Sequence, residues 1–252
     1  MGVKPLNYPS GQDRLSTGDC DACSFRSLCA FSDACARAGY SEADLKELHC
    51  LVEHVGPFQM GEHIFRTGDR FRALFAVRRG SVKTSVVNRE GQEQILGFYL
   101  PGEVIGLNAI YPEQYPCNAV ALEEAEFCRF SFPDISELAA HVPTVQQHLF
   151  RLLSKELGAA SRLAGNHTSD ERVAAFLIDL GDRYRARGFR FTSLTLSMSR
   201  GDIANYLRLV PETVSRVLGR LRDQELIRIE GRQVTLLDIE GLRQISCQVF
   251  NS

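Results

Sequence analysis

Between residues 41 and 53 (SEADLKELHCLVE) apolar side chains recur at helical spacing behind a start signal of Ser41 and Asp44. This predicts a short helix with Leu45, Leu48 and Val52 on its buried stripe. From about residue 55 to 132 the period changes. His63-Ile64-Phe65 leads into Thr67-Gly68-Asp69, Leu74-Phe75-Ala76-Val77 into Arg79-Gly80, residues 82–87 into Glu90-Gly91, and residues 95–100 into Pro101-Gly102-Glu103. Several short strands at regular spacing, punctuated by glycine, predict an antiparallel β-barrel or sandwich.

Residues 143–165 return to a helical period, with Leu149, Leu153, Leu157, Ala160 and Ala164 at three- and four-residue steps. Such a stripe suits packing on the chain's own barrel or pairing with a twin helix. Gly158 and Gly165 weaken it as an isolated helix. Thr168 and Glu171 then form a capping-box pattern ahead of a helix carrying Val173, Phe176, Leu177, Leu180 and Tyr184. Leu194, Leu196 and Met198 alternate as a strand does. Ser199 and Asp202 start a short helix, Ile203 to Leu207. After a break at 208–210, Pro211 suits the first turn of the next helix, which carries Val214, Val217, Leu218 and Leu221 inward. Residues 227–229 and 234–236 flank Glu230-Gly231 as a hairpin. Helix, turn, helix and hairpin together describe a winged helix-turn-helix.

The expected architecture is therefore α+β, in four parts. Residues 1–40 are a cysteine-rich segment, 41–142 a β-barrel, 143–166 a long central helix, and 167–252 a winged helix-turn-helix.

Composition changes this picture little. The 252 residues are 44% hydrophobic and 24% charged, as in ordinary globular chains, and the formal net charge is −2. A DNA-binding argument must therefore rest on a local patch. No apolar run approaches a membrane span and residues 1–20 lack a signal-peptide core, so a cytoplasmic protein with no membrane partner is expected. No phosphate-binding motif or nucleophile–base constellation points to an enzyme.

Cysteine usage adds more. Of eight cysteines, Cys20, Cys23, Cys29 and Cys35 fall within sixteen residues. Reducing surroundings disfavour a disulfide framework, so the cluster points to a metal or redox site. Thiolates are soft ligands for iron–sulfur clusters, zinc or copper. Cys20-x-x-Cys23 with Cys29 supplies three sulfurs. Cys35 would complete a compact local zinc site, whereas Cys128 would tie the segment to the barrel. Spacing leaves both open. Cys50, on the helical stripe, is expected to be a small buried residue.

In the helix after Pro211, Glu212, Ser215 and Arg216 stand at i, i+3 and i+4 and share a face near its start. A recognition helix presents such residues to base edges, with arginine matching guanine, glutamate the cytosine amino group, and serine a base or phosphate. Five arginines lie between 200 and 222, against Asp202 and Glu212. Of these, Arg208, Arg220 and Arg222 are candidates for phosphate.

These residues together resemble the FNR branch of the CRP/FNR regulators. The likeness runs through Cys20-x2-Cys23-Ser24-x3-Leu28-Cys29, Gly91-Gln92-Glu93-Gln94-Ile95 with Gly97-Phe98, and Cys128. It continues through Glu171-Arg172, Arg187-Gly188-Phe189, Arg200-Gly201-Asp202-Ile203, Asn205-Tyr206-Leu207 and Glu212-Thr213-Val214-Ser215-Arg216. The resemblance implies a cyclic-nucleotide-binding-like barrel (a double-stranded β-helix) and a homodimer built on the central helix. It also implies one oxygen-labile 4Fe–4S cluster per subunit on Cys20, Cys23, Cys29 and Cys128. Glu212, Ser215 and Arg216 would read double-stranded DNA at TTGAT-like half-sites. The turn at 90–94 would face RNA polymerase, with activation of anaerobic-metabolism genes the usual outcome. Where CRP-type proteins hold a cyclic phosphate with arginine and serine, this chain has Pro116-Cys117, so no cyclic nucleotide is expected. Val210 stands where a capping threonine is common, which weakens the helix start by roughly 1 kcal/mol unless another group satisfies the amide. The competing reading is a regulator with structural zinc on Cys20, Cys23, Cys29 and Cys35 and a different effector.

Overall fold

The computed structural model describes residues 39, 41–165, 167–186 and 191–250. The helix expected at 41–53 is α1 (Glu42–Cys50), opened by reciprocal hydrogen bonds between Ser41 and Asp44. It ends earlier than its periodicity implies. Val52 starts β1 (Val52–Phe58), because pairing with a strand satisfies its backbone better than another helical turn would.

Seven more strands follow: β2 (His63–Phe65), β3 (Ala73–Arg79), β4 (Val82–Val87), β5 (Glu93–Tyr99), β6 (Val104–Ile105), β7 (Asn118–Ala121) and β8 (Ala125–Ser131). They do not close into one hydrogen-bonded barrel. They form two four-stranded sheets, β1-β8-β3-β6 and β2-β7-β4-β5, with antiparallel pairing throughout. Aromatic rings bridge the sheets: Phe65 of β2 lies 5.9 Å from Phe75 of β3 and stacks on Tyr115 at 3.9 Å. The expected turn at Arg79-Gly80 depends on glycine. Gly80 has φ +77°, and a Cβ there would lie 2.3 Å from the Glu124 carbonyl oxygen.

Helices α2 (Phe132–His141) and α3 (Pro143–Ala164) follow β8. The stripe expected on α3 divides between two faces. Leu149 packs with Leu152 on the first hydrophobic core, whereas Leu153 and Leu157 are exposed together with Phe150. The side chains of Ala160 and Ala164 lie outside the described ones.

The remaining elements are α4 (Ser169–Arg185), β9 (Ser193–Thr195), α5 (Arg200–Leu207), α6 (Pro211–Asp223), β10 (Ile227–Glu230), β11 (Gln233–Leu236) and α7 (Ile239–Phe250). The three strands form a sheet in the order β10-β11-β9. Both capping boxes read from the sequence are present, at Thr168/Glu171 and Ser199/Asp202. The second begins α5 at Arg200, one turn before the expected Ile203. β9 stops at Thr195, although Leu196 and Met198 remain buried. Among the described residues no helix is long and apolar enough to cross a membrane.

Candidate DNA interface and cysteine site

The turn between α5 and α6 is set by its backbone. Arg208 takes a left-handed conformation (φ +55°), and the Leu209 amide donates to the Ala204 carbonyl at 2.8 Å, closing α5. α6 then begins at Pro211. Val210 offers no side-chain cap, and its carbonyl accepts from the Thr213 amide at 2.9 Å. Val214, Val217, Leu218 and Leu221 are all buried, which fixes the rotation of α6 about its axis. Glu212, Ser215 and Arg216 consequently stand exposed together at its N-terminal end.

Arg220 and Arg222 are differently engaged. Arg220 makes a two-pronged contact to Asp170 at the start of α4, at 2.7 and 2.8 Å, and Arg222 pairs with Asp223 at 2.8 Å. Of the arginines on α6, Arg216 alone has no ion-pair partner among the described residues. The wing is the β10–β11 hairpin, in which Ile227 faces Leu236 and Gly231 turns at φ +62°.

Cys20, Cys23, Cys29 and Cys35 lie outside the described residues. Cys128 sits in β8, one strand in from the sheet edge at β1, with His54 and Ala76 as register partners on either side. Phe127 turns to one face, where its ring meets Phe58 at 5.5 Å and Phe75 at 6.3 Å. Strand alternation aims Cys128 at the opposite face, where it is 3% exposed. Cys50 is exposed, contrary to the expectation of burial: it falls at the last position of α1, turned away from the buried Leu48. Cys117 is buried, with the Asn108 amide 3.5 Å from its sulfur, and burial pushes its thiol pKa up.

Sequence reasoning passed over Glu103 and Arg183. The Arg183 guanidinium donates to Glu103 Oε1 at 2.9 Å, and Lys155 approaches the same oxygen at 3.2 Å. Burial alone would lower the arginine's pKa, but the facing carboxylate outweighs it and raises it. A signal existed, since Arg183 continues the α4 stripe three residues beyond Leu180.

Comparison with known proteins agrees with this arrangement. Residues 171–245 match the Crp-like helix-turn-helix domain, and residues 56–141 the cyclic nucleotide-binding domain. The transcriptional activator protein Anr of Pseudomonas protegens is 40% identical over 213 residues, covering 83% of this chain and 87% of Anr. The fumarate and nitrate reduction regulatory protein of Vibrio cholerae is 35% identical over 221 residues, covering 86% and 88%. The structure of FixK2 from Bradyrhizobium japonicum superposes with a TM-score of 0.70 at 28% identity, covering 77% of this chain and 96% of FixK2. With an exposed polar face at the start of the second helix of a Crp-like helix-turn-helix, the protein is a DNA-binding transcription regulator rather than an enzyme, and it belongs to the FNR branch of the CRP/FNR family.

Proposed function

We propose that this chain is an oxygen-responsive regulator of the cytoplasm. As a homodimer it binds palindromic DNA with TTGAT-like half-sites and activates, or at some promoters represses, genes of anaerobic metabolism through contact with RNA polymerase. The thiolates of Cys20, Cys23, Cys29 and Cys128 would hold one 4Fe–4S cluster per subunit. When bound, such a cluster supplies an oxygen-labile link between the N-terminal segment and the barrel.

The observation that carries this reading is the placement of Cys128. The chain leaves α1 at Cys50 and enters β1, the edge strand whose His54 is the register partner of Cys128. In chain order the cysteine-rich segment precedes α1 and β1, so its connection to the barrel runs through the strand that pairs with β8. Four thiolates are also a donor set suited to an iron–sulfur cluster.

The chain's own residues support the rest. Phe150, Leu153 and Leu157 expose an apolar stripe at i, i+3 and i+7 on α3, which a twin helix would bury. Glu212 and Arg216 are positioned for base edges and Ser215 for a base or phosphate. In the 88–92 turn, Asn88 Oδ1 accepts from the Glu90 and Gln92 amides at 3.0 and 2.9 Å, giving an ordered surface for a protein partner. A cyclic phosphate would meet Pro116 and the neutral Cys117 instead of a cation. Tyr99 and Glu156 pair nearby at 3.2 Å, and burial raises the pKa of both.

The test is the visible spectrum of protein isolated without oxygen, with iron and sulfide analysis, then measured exposure to air. We expect a brown chromophore with about four irons and four sulfides per chain that is lost in air together with DNA binding. Cys23→Ala and Cys128→Ala should each abolish it. A colourless, air-stable protein whose zinc survives Cys128→Ala would establish the alternative ligand set of Cys20, Cys23, Cys29 and Cys35.

A further inference from the structure

Two sequence stretches that mark the barrel, Gly91 to Ile95 and Gly97-Phe98, meet two that mark the helix-turn-helix, Arg200 to Ile203 and Asn205-Tyr206-Leu207. Among the described residues β5 is the edge of its sheet, so its outer backbone groups have no strand partner there. Asn205, 110 residues further along the chain, supplies one from α5. Its Oδ1 accepts from the Ile95 amide at 2.7 Å, and its Nδ2 donates to the Glu93 carbonyl at 2.6 Å. One carboxamide thus occupies a donor and an acceptor that a neighbouring strand would otherwise engage. Gln94 returns the contact, donating to the Asn205 carbonyl at 3.2 Å.

A charged contact lies beside it. The Lys83 ammonium on β4 sits 3.0 Å from Glu93 and 2.8 Å from Asp202 on α5. Burial alone would lower the lysine's pKa, but its hydrogen bonds to Asp202 and Glu93 more than offset this and raise it. The second oxygen of Asp202 accepts from the Ser199 amide at 3.0 Å, so the lysine holds the capped first turn of α5. Because the Leu209 amide ties the turn back to α5, whatever orients α5 also orients α6. Packing leaves slack at this joint: a cavity of about 260 Å³ lies between Phe98, Glu103, Leu152, Phe176, Arg183 and Tyr206.

We propose that Asn205 and Lys83 are positioning residues for DNA binding. They fix the angle of α6 against the barrel of its own subunit, and with it the half-site separation that the dimer accepts. Neither residue needs to touch DNA. The inference rests on the reading of the chain as a dimeric, palindrome-binding regulator, in which both recognition helices must be placed about one DNA turn apart.

The experiment uses full-length protein prepared without oxygen and a set of duplexes whose half-sites are separated by different spacers. Wild type is compared with Lys83→Glu, Lys83→Arg and Asn205→Ala, each checked for dimer mass and thermal stability. Lys83→Glu should lose about tenfold in affinity at the preferred spacer, in the range expected for coupled sites, and much less at the others. Its spacer preference therefore flattens. Lys83→Arg should restore the preference. Asn205→Ala should flatten it too and speed hydrogen exchange at the Ile95 amide; if that variant does not fold, the Lys83 pair decides. A spacer preference kept by Lys83→Glu, even with lowered stability, would overturn the positioning role and leave the clasp merely structural. A wild-type protein with no spacer preference at all would instead overturn the underlying reading, and the proposal with it.

Discussion

The first hydrophobic core draws its members from Leu48 to Leu152, the barrel strands and the helices that flank them. The second takes most of its members from α4 to α7, yet includes Ile95, Phe98, Leu100 and Leu122 from the barrel's part of the chain. One core is self-contained and the other is shared. The shared one forms because β5 departs from strict alternation. Thr84 pairs with Gly97 and Ser85 with Ile95, so Leu96 is an extra residue in the ladder. This bulge lets Ile95 and Phe98 bury on the same side although they are three positions apart, while Tyr99 packs against the first core. One end of the barrel is thus half of a joint rather than a free surface. Perturbing it should be felt in the DNA-binding part, as perturbing the first core should not.

The largest test sets two phenylalanines against each other. Phe127→Ala and Phe98→Ala should each cost about 3–5 kcal/mol in chemical denaturation. Their reach should differ. The Phe98 ring lies 5.2 Å from Tyr206 and 6.2 Å from Phe176, so its loss should raise hydrogen exchange in α4 and α5. Loss of Phe127 should leave those amides protected. Equal exchange patterns in the two variants would erase the distinction between the cores.

A smaller effect is expected from the polar side of the same joint. Arg183→Leu leaves the nearly buried Glu103 without its main counter-charge and should destabilise by about 3 kcal/mol. Adding Glu103→Gln should regain part of that loss, because the stranded charge is removed as well. Thermal melts of the single and double variants measure the difference, and an uncompensated double variant would show that packing, not charge, holds this side.

The smallest effect sharpens the comparison inside the second core. Val210 caps α6 without a side-chain hydrogen bond. Val210→Thr should therefore stabilise by roughly 0.5–1 kcal/mol. The gain should appear in α6 amide protection and leave the barrel unchanged.

The features readable from sequence and those that were not differ in the distance over which their determinants act. Capping boxes at Thr168 and Ser199, the break at 208–210, Pro211 at the start of α6 and the inward Val214, Val217, Leu218 and Leu221 are set by residues within one or two helical turns. The exposed set of Glu212, Ser215 and Arg216 follows from that periodicity, since burying one face of a helix leaves the other outward. The end of α1 was misplaced because β1 owes its existence to β8, more than seventy residues away.

By itself, then, the sequence determined the succession of elements, the exposed polar face of α6 and the family, because these depend on local backbone chemistry and on motifs that need no partner to be recognised. Tertiary structure decided which face of α3 meets the barrel and which is exposed at Phe150, Leu153 and Leu157. It also decided that two sheets form in place of one closed barrel, and that Lys83 and Asn205 meet across the joint. No local pattern encodes those outcomes. Each depends on bringing distant surfaces together, where a bulge of one residue or a single carboxamide at a strand edge selects the pairing.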